Sequence, residues 1–281
     1  MNTLDNHTNC FLRLHKEIEE FDKWITLNPW EVAVRQHMID RIMALMQKPL
    51  KDGEVKFEVF GSHVTGLATP ASDLDIGFQI ADLQKKPEER GPSPSRPEGK
   101  KLVRARLEKM CKLSLSDPEF RDQEIVGYAR YPLLRMQHLR SKIIIQIVSS
   151  GAQTTVVQYV QNYLDEFPNL KPIYMVIKAA LAARGLDEPK TGGLGSYPLL
   201  VMIIASFKLG PSQRSDDLGR ALLVFLNFFN QINPRVHCVC IDPPMIFRKS
   251  KSYLVWSATE KAAMRENLVG STRDDLVTRD N

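Results

Sequence analysis

The residues able to do chemistry lie in one stretch: Phe60-Gly61-Ser62-His63-Val64-Thr65-Gly66-Leu67, then Ser72-Asp73-Leu74-Asp75-Ile76. A strand ending at Gly61-Ser62 and a short helix leaving it present free backbone N–H groups and a positive dipole end to an anion. Gly61 has no side chain to keep a phosphate from the backbone, and the Ser62 hydroxyl can add a hydrogen bond. Asp73 and Asp75 are two apart, so on a strand their carboxylates share a face about 7 Å apart at the backbone. Such like charges repel and favour a hard cation. Mg²⁺ takes oxygen ligands and shares them with substrate phosphates; two such ions can activate an attacking hydroxyl and steady leaving pyrophosphate. Alone, Asp-x-Asp reads as a strand end and Gly-Ser as a turn. Their combination, eleven residues from Ser62 to Asp73, is more specific.

The elements that position these residues can be read from periodicity. Leu14, Ile18, Phe21 and Ile25 recur at helical spacing. A second helix is expected from Trp30 to Gln47, led by Pro29. Val55–Phe60 and Asp73–Ile80 alternate as strands, and further strands are expected at Glu124–Ala129, Pro132–His138 and Lys142–Val148. A basic helix should run from Lys100 to about Leu113. After Gly151 the period is helical: Val157, Val160, Leu164 and Phe167, then Ile173, Val176, Ile177, Ala180 and Leu181, then Leu218, Leu222, Phe225, Leu226, Phe229 and Ile232.

Composition bounds the partners. Of 281 residues, 43% are hydrophobic and 25% charged, which excludes disorder across the whole chain. Apolar runs such as Leu199–Ala205 are too short to cross a membrane, and Met1 to Cys10 shows no signal pattern. Cys10, Cys111, Cys238 and Cys240 read as reduced thiols of a cytosolic or nuclear protein. The net charge is +5, yet Lys85 to Lys112 alone carries +6, from ten basic and four acidic residues. A polyanion suits such a patch.

Gly-Ser, about ten residues, then Asp-x-Asp resembles the motif of the DNA polymerase beta-like nucleotidyltransferases. Leu14 to Phe21 is similar to the helix preceding the catalytic domain of TRAMP-type noncanonical poly(A) polymerases. Tyr131-Pro132-Leu133-Leu134-Arg135 resembles their sheet strand, and Thr191-Gly192-Gly193-Leu194-Gly195-Ser196-Tyr197 their Gly-Gly-x-x-Ser-Tyr motif. The resemblance runs from about Leu12 to Pro243. It implies an α+β fold: a nucleotidyltransferase palm (48–150) of mixed sheet and helices, and a mainly helical central, PAP-associated domain (9–47 and 151–268). A flexible loop is expected at 83–99 and a disordered tail at 270–281.

The resemblance also implies roles. Asp73 and Asp75 would be catalytic and hold Mg²⁺ or Mn²⁺. Gly61, Ser62, Lys178 and Ser196 would hold the triphosphate, and Tyr197 would stack on the base. Template-independent addition of AMP from ATP to an RNA 3′ end is implied, with an RNA-binding protein or helicase as partner, no membrane, and a nuclear or cytoplasmic location.

Two departures qualify this. The family's third carboxylate, on a later strand, is missing from Ser141-Lys142-Ile143-Ile144-Ile145-Gln146-Ile147-Val148; Ile144 or Gln146 takes its place, depending on register. In the base-recognition loop, Ile241-Asp242-Pro243-Pro244 keeps only Asp-Pro. An impaired adenylyltransferase, a catalytically inactive RNA- or nucleotide-binding partner subunit and a terminal uridylyltransferase all remain open at this point.

Overall fold

The structure is a computed structural model that describes residues 3–47, 55–80, 97–127, 129, 131–149, 153–211 and 217–249. The chain forms two compact units, Met1–Leu199 with Ser215–Ala221, and Leu200–Arg214 with Leu222–Asn281. Of the expected loop, residues 83–96 lie outside the described residues, as does the whole tail 270–281.

The first unit is built on a five-stranded sheet. Its strands are β1 (Val55–Phe60), β2 (Leu74–Ile80), β3 (Phe120–Val126), β4 (Leu133–His138) and β5 (Ile144–Ser149), in the order β1-β2-β5-β4-β3. Only β2 and β5 are parallel neighbours, so the sheet is mixed, as expected. Alternation sorts its residues onto two faces. Leu74, Ile76, Phe78 and Ile80 of β2, Leu134 and Met136 of β4, and Ile145 and Ile147 of β5 are buried on one face.

Two helices cover that face. α2 (Pro29–Gln47) contributes Met38, Ile39, Ile42 and Met46, and α4 (Pro97–Leu115) contributes Val103, Leu107 and Met110, both sets at helical spacing. A reciprocal cap fixes the start of α2. The Glu31 N–H donates to Asn28 Oδ1 at 3.0 Å, and the Asn28 N–H donates to Glu31 Oε2 at 2.8 Å.

α1 (Thr3–Ile25) packs on α6 (Leu170–Ala182), and α5 (Gln153–Glu166) packs on α3 (Ser62–Thr65) and β1. His15 Nδ1 accepts the Leu218 N–H at 3.1 Å, serving the first turn of α8 (Leu218–Gln231). α7 (Ser196–Leu209) and α8 continue into the second unit, where Ile203, Ile204, Ala205 and Phe225 are buried. The α+β class is as expected.

Three elements differ from the sequence reading. α4 begins at Pro97, inside the loop expected at 83–99, because proline is tolerated in the first turn of a helix. β3 begins at Phe120, four residues early. The register shifts between Arg121 and Glu124, and Asp122 has φ 54°; this bulge breaks the period-two pattern that would have revealed the strand. In the second unit the domain expected to be mainly helical also carries a hairpin that periodicity did not reveal, β6 (His237–Ile241) and β7 (Pro244–Arg248), with Asp242-Pro243 as its turn. Cys10, Cys111, Cys238 and Cys240 are free thiols. Among the described residues, no helix is long and apolar enough to cross a membrane.

Candidate active site

The sheet face opposite α2 and α4 carries a row of directly paired residues: Phe60 on β1, Asp75 on β2, Gln146 on β5, Arg135 on β4 and Glu124 on β3. Asp73, two residues before Asp75, immediately precedes β2. The Gln146 side chain reaches across, and Nε2 donates to Asp73 Oδ2 at 2.5 Å. This decides the register left open above. Gln146 stands against the aspartate pair, whereas Ile144 pairs with Gln137, further along the strand. Glu124 faces the same side but lies three strands from Asp75, about 14 Å at the usual strand spacing, too far to share an ion with it.

Gly61 is seated against Asp75. Its φ is +73°, and a Cβ at that position would lie 2.5 Å from Asp75 Oδ2. Glycine therefore serves both the left-handed backbone and the close approach of the carboxylate. The single-turn helix α3 starts at Ser62, and the Gln161 side chain of α5 donates to the Val64 carbonyl at 3.3 Å. Gly61→Ala is expected to lose roughly 1–3 kcal/mol of stability to the backbone alone and to displace the Asp75 carboxylate. Urea denaturation and ATP titration check both effects; an unchanged ATP affinity would show that the carboxylate position is not set by Gly61.

The electrostatics concentrate on Asp75. Burial, then the charge of Asp73, pushes its carboxyl up to about 6, against the opposing pull of Lys178 and Arg35. Lys178 on α6 is thus within electrostatic reach of the pair, and its Nζ also lies 5.6 Å from the Tyr174 ring centroid. The lone cation on an otherwise apolar helix face has an anionic site to serve.

Arg35 is the functional residue that the sequence reading missed. It sits on α2, fully buried. Its guanidinium donates to the carbonyls of Ser72 at 2.6 Å, Thr69 at 3.1 Å, Pro70 at 3.4 Å and Asp73 at 3.5 Å. The turn is closed further by the Thr69 N–H donating to Ser72 Oγ at 2.9 Å. Arg35 therefore clamps the segment that delivers Asp73 and places a buried positive charge behind both aspartates. The Glu31-x-x-x-Arg35 spacing on a capped helix was the available signal, but helical periodicity reads only the apolar face.

The glycine motif has a local cause. Gly192 has φ +89°, and a Cβ on Gly193 would lie 2.6 Å from the Leu186 carbonyl oxygen. The Gly193 N–H donates to the Glu188 carbonyl at 2.9 Å and the Leu194 N–H to that of Leu186 at 2.7 Å. The doubled-back chain starts α7 at Ser196. Ser196 and Tyr197 reach the surface there, and partial burial, then Tyr159, raises the Tyr197 hydroxyl above its ordinary value.

The basic helix stands elsewhere. α4 covers the apolar face of the sheet, opposite the aspartates. Lys100 donates to the Ala129 carbonyl at 3.2 Å and Arg104 pairs with Glu108 at 3.1 Å, which leaves Lys101, Lys109 and Lys112 as exposed basic residues on it. Residues 85–96 of the basic segment lie outside the described residues.

The donor set decides what metal the site fits. Two carboxylates on one face suit one divalent ion completed by phosphate oxygens and water. Among the described residues, no group of three or more His, Cys, Asp and Glu side chains could hold a metal.

Residues 14–151 match the family described as poly(A) RNA polymerase, mitochondrial-like, central palm domain. The chain is 28% identical over 228 residues to the poly(A) RNA polymerase CID14 of Cryptococcus neoformans, covering 78% of this chain and 27% of that protein. It is 26% identical over 224 residues to the inactive noncanonical poly(A) RNA polymerase protein Trf4-2 of Drosophila melanogaster, covering 77% of this chain and 50% of that one. The chain thus spans between about a quarter and a half of these relatives. The solved polymerase core of TRAMP, an RNA surveillance complex, superimposes with a TM-score of 0.69 at 22% identity, over 85% of this chain and 71% of that one. Over its palm and most of its described length, the chain is thus similar to the noncanonical poly(A) RNA polymerases.

Proposed function

We propose that this chain is a template-independent RNA 3′-terminal nucleotidyltransferase in the nucleus that binds ATP with Mg²⁺ and adds adenylate at an impaired rate. The observation that carries this is the convergence of Asp73, Asp75, Lys178 and Gly61 on one side of the sheet. Asp73 and Asp75 would hold the ion, which when bound supplies charge neutralisation for the triphosphate. Gly61 and Ser62 offer backbone and hydroxyl donors to the phosphates, Lys178 offers a cation, and Ser196 and Tyr197 lie at the exposed start of α7 for triphosphate and base. In the reaction, the RNA 3′-hydroxyl oxygen bonds to the α-phosphorus, the α–β phosphoanhydride breaks, pyrophosphate leaves and the hydroxyl proton passes to solvent.

The Gln146–Asp73 hydrogen bond favours a second reading, a catalytically inactive family member that holds nucleotide and RNA as a partner subunit. Extension of a labelled oligo(A) primer with each of the four nucleotides separates the two. Slow ATP-dependent extension supports the transferase, no extension with intact ATP binding supports the partner subunit, and preference for UTP would make it a uridylyltransferase.

RNA is also expected to contact α4, behind the sheet. Replacing Lys101, Lys109 and Lys112 by Ala should lower the salt slope of RNA affinity by up to about 3 while leaving ATP affinity unchanged. A slope equal to that of the unaltered protein would make the helix a solvated face.

A further inference from the structure

We propose that this active site takes one divalent cation together with the nucleotide phosphates, because Gln146 stands where a second ion would need an acid. The proposal rests on the nucleotide-binding reading above. Three features of the aspartate pair carry it.

The first is position. Gln146 is the direct cross-strand neighbour of Asp75 on the parallel strand β5, so its side chain occupies the place from which a third ligand would reach an ion shared with Asp73 and Asp75. The second is donor chemistry. Gln146 Nε2 donates to Asp73 Oδ2, so that oxygen is already engaged, and engaged with a group that cannot bind a cation. Only the neutral amide oxygen of Gln146 could serve an ion, and the same side chain cannot turn it inward without releasing Asp73.

The third is charge. Asp73 and Asp75 carry two negative charges, and Lys178 and Arg35 both act electrostatically on Asp75. These two cations offset part of that charge before any ion arrives. A first ion enters with the negative charge of a triphosphate. A second would need an anionic ligand of its own, which an acid at position 146 would supply and an amide does not. The consequence is specific to this chain: nucleotide and its ion can bind, while no ion is held where an acceptor hydroxyl would need one.

The test is an ion count. Mn²⁺, read by electron paramagnetic resonance, is titrated into the full chain in the presence of saturating α,β-methylene-ATP, which cannot transfer. The unaltered protein and Gln146→Ala should each hold one Mn²⁺. Gln146→Asp should hold two, with circular dichroism confirming that it folds. Two ions in the unaltered protein would overturn the proposal, as would a single ion in a folded Gln146→Asp. If Gln146→Asp does not fold, the counts in the unaltered protein and in Gln146→Glu decide by the same criterion. Failure of every variant to bind the nucleotide at all would instead overturn the nucleotide-binding reading itself. That result is separate from a count of two.

Discussion

Asp73→Ala and Asp75→Ala are each expected to weaken Mg²⁺-dependent ATP binding by about 100-fold or more. With Gln146 in place of an acid, neither aspartate has a substitute, and loss even of a supporting group around a metal costs roughly 10–100-fold. The Asp75 variant should lose affinity without losing stability. Its carboxyl is raised to about 6 by burial and by Asp73, above its value in the unfolded chain. The folded state therefore holds that proton more tightly, so this group's contribution to stability is greatest below about pH 4 and declines as the pH rises through 6. Above that, the buried charge opposes folding by an amount on the order of 3 kcal/mol, so Asp75→Asn should raise the urea midpoint at pH 8 and change it little at pH 4. ATP affinity in Mg²⁺ should fall in the unaltered protein as the pH drops below about 6, because a protonated carboxyl is a poor ligand. Isothermal titration in Mg²⁺ and in EDTA checks the first effect, and an affinity unchanged in both variants would remove this site from consideration.

Arg35→Met is expected to destabilise the first unit by roughly 3–5 kcal/mol, the range for removing one partner from a buried charged network. The carbonyls of Thr69, Pro70, Ser72 and Asp73 would lose their shared donor, and both aspartates would lose the cation behind them. Arg35→Lys should fold better than Arg35→Met but still bind Mg·ATP weakly, since a single ammonium cannot span the carbonyls that the guanidinium reaches. Unfolding curves give the stability. ATP affinity of the Lys variant, measured below its unfolding midpoint, separates a positioning role from a purely structural one: a native affinity there would leave Arg35 as structure alone.

The site residues differ in how legible they were. Gly61, Ser62, Asp73 and Asp75 announce themselves because their chemistry is compressed into fifteen residues, where local geometry alone places two carboxylates on one strand face beside a glycine turn. α2 and the helices after residue 151 were legible for a related reason. An amphipathic helix must repeat its buried positions every three to four residues, and Met38, Ile42 and Met46 do so. The bulge at Asp122 and the hairpin at 237–248 interrupt such periods, and there the sequence reading was displaced or silent.

Sequence alone determined that an acid is absent from the strand at 144–149, because absence of a residue type needs no coordinates. It could not determine which side chain stands in the acid's place. Ile144 and Gln146 are two apart on one strand and share a face, and only pairing between strands far apart in the chain, Asp75 with Gln146, fixes the register. The same reason hid Arg35. Its partners, residues 69–73, are more than thirty positions away, and a buried cation is identified by what surrounds it, which tertiary packing decides. It also took the tertiary structure to show that the basic helix and the aspartate pair, joined by a short stretch of chain, lie on opposite faces of the sheet, because alternation assigns sides only once the strands are paired.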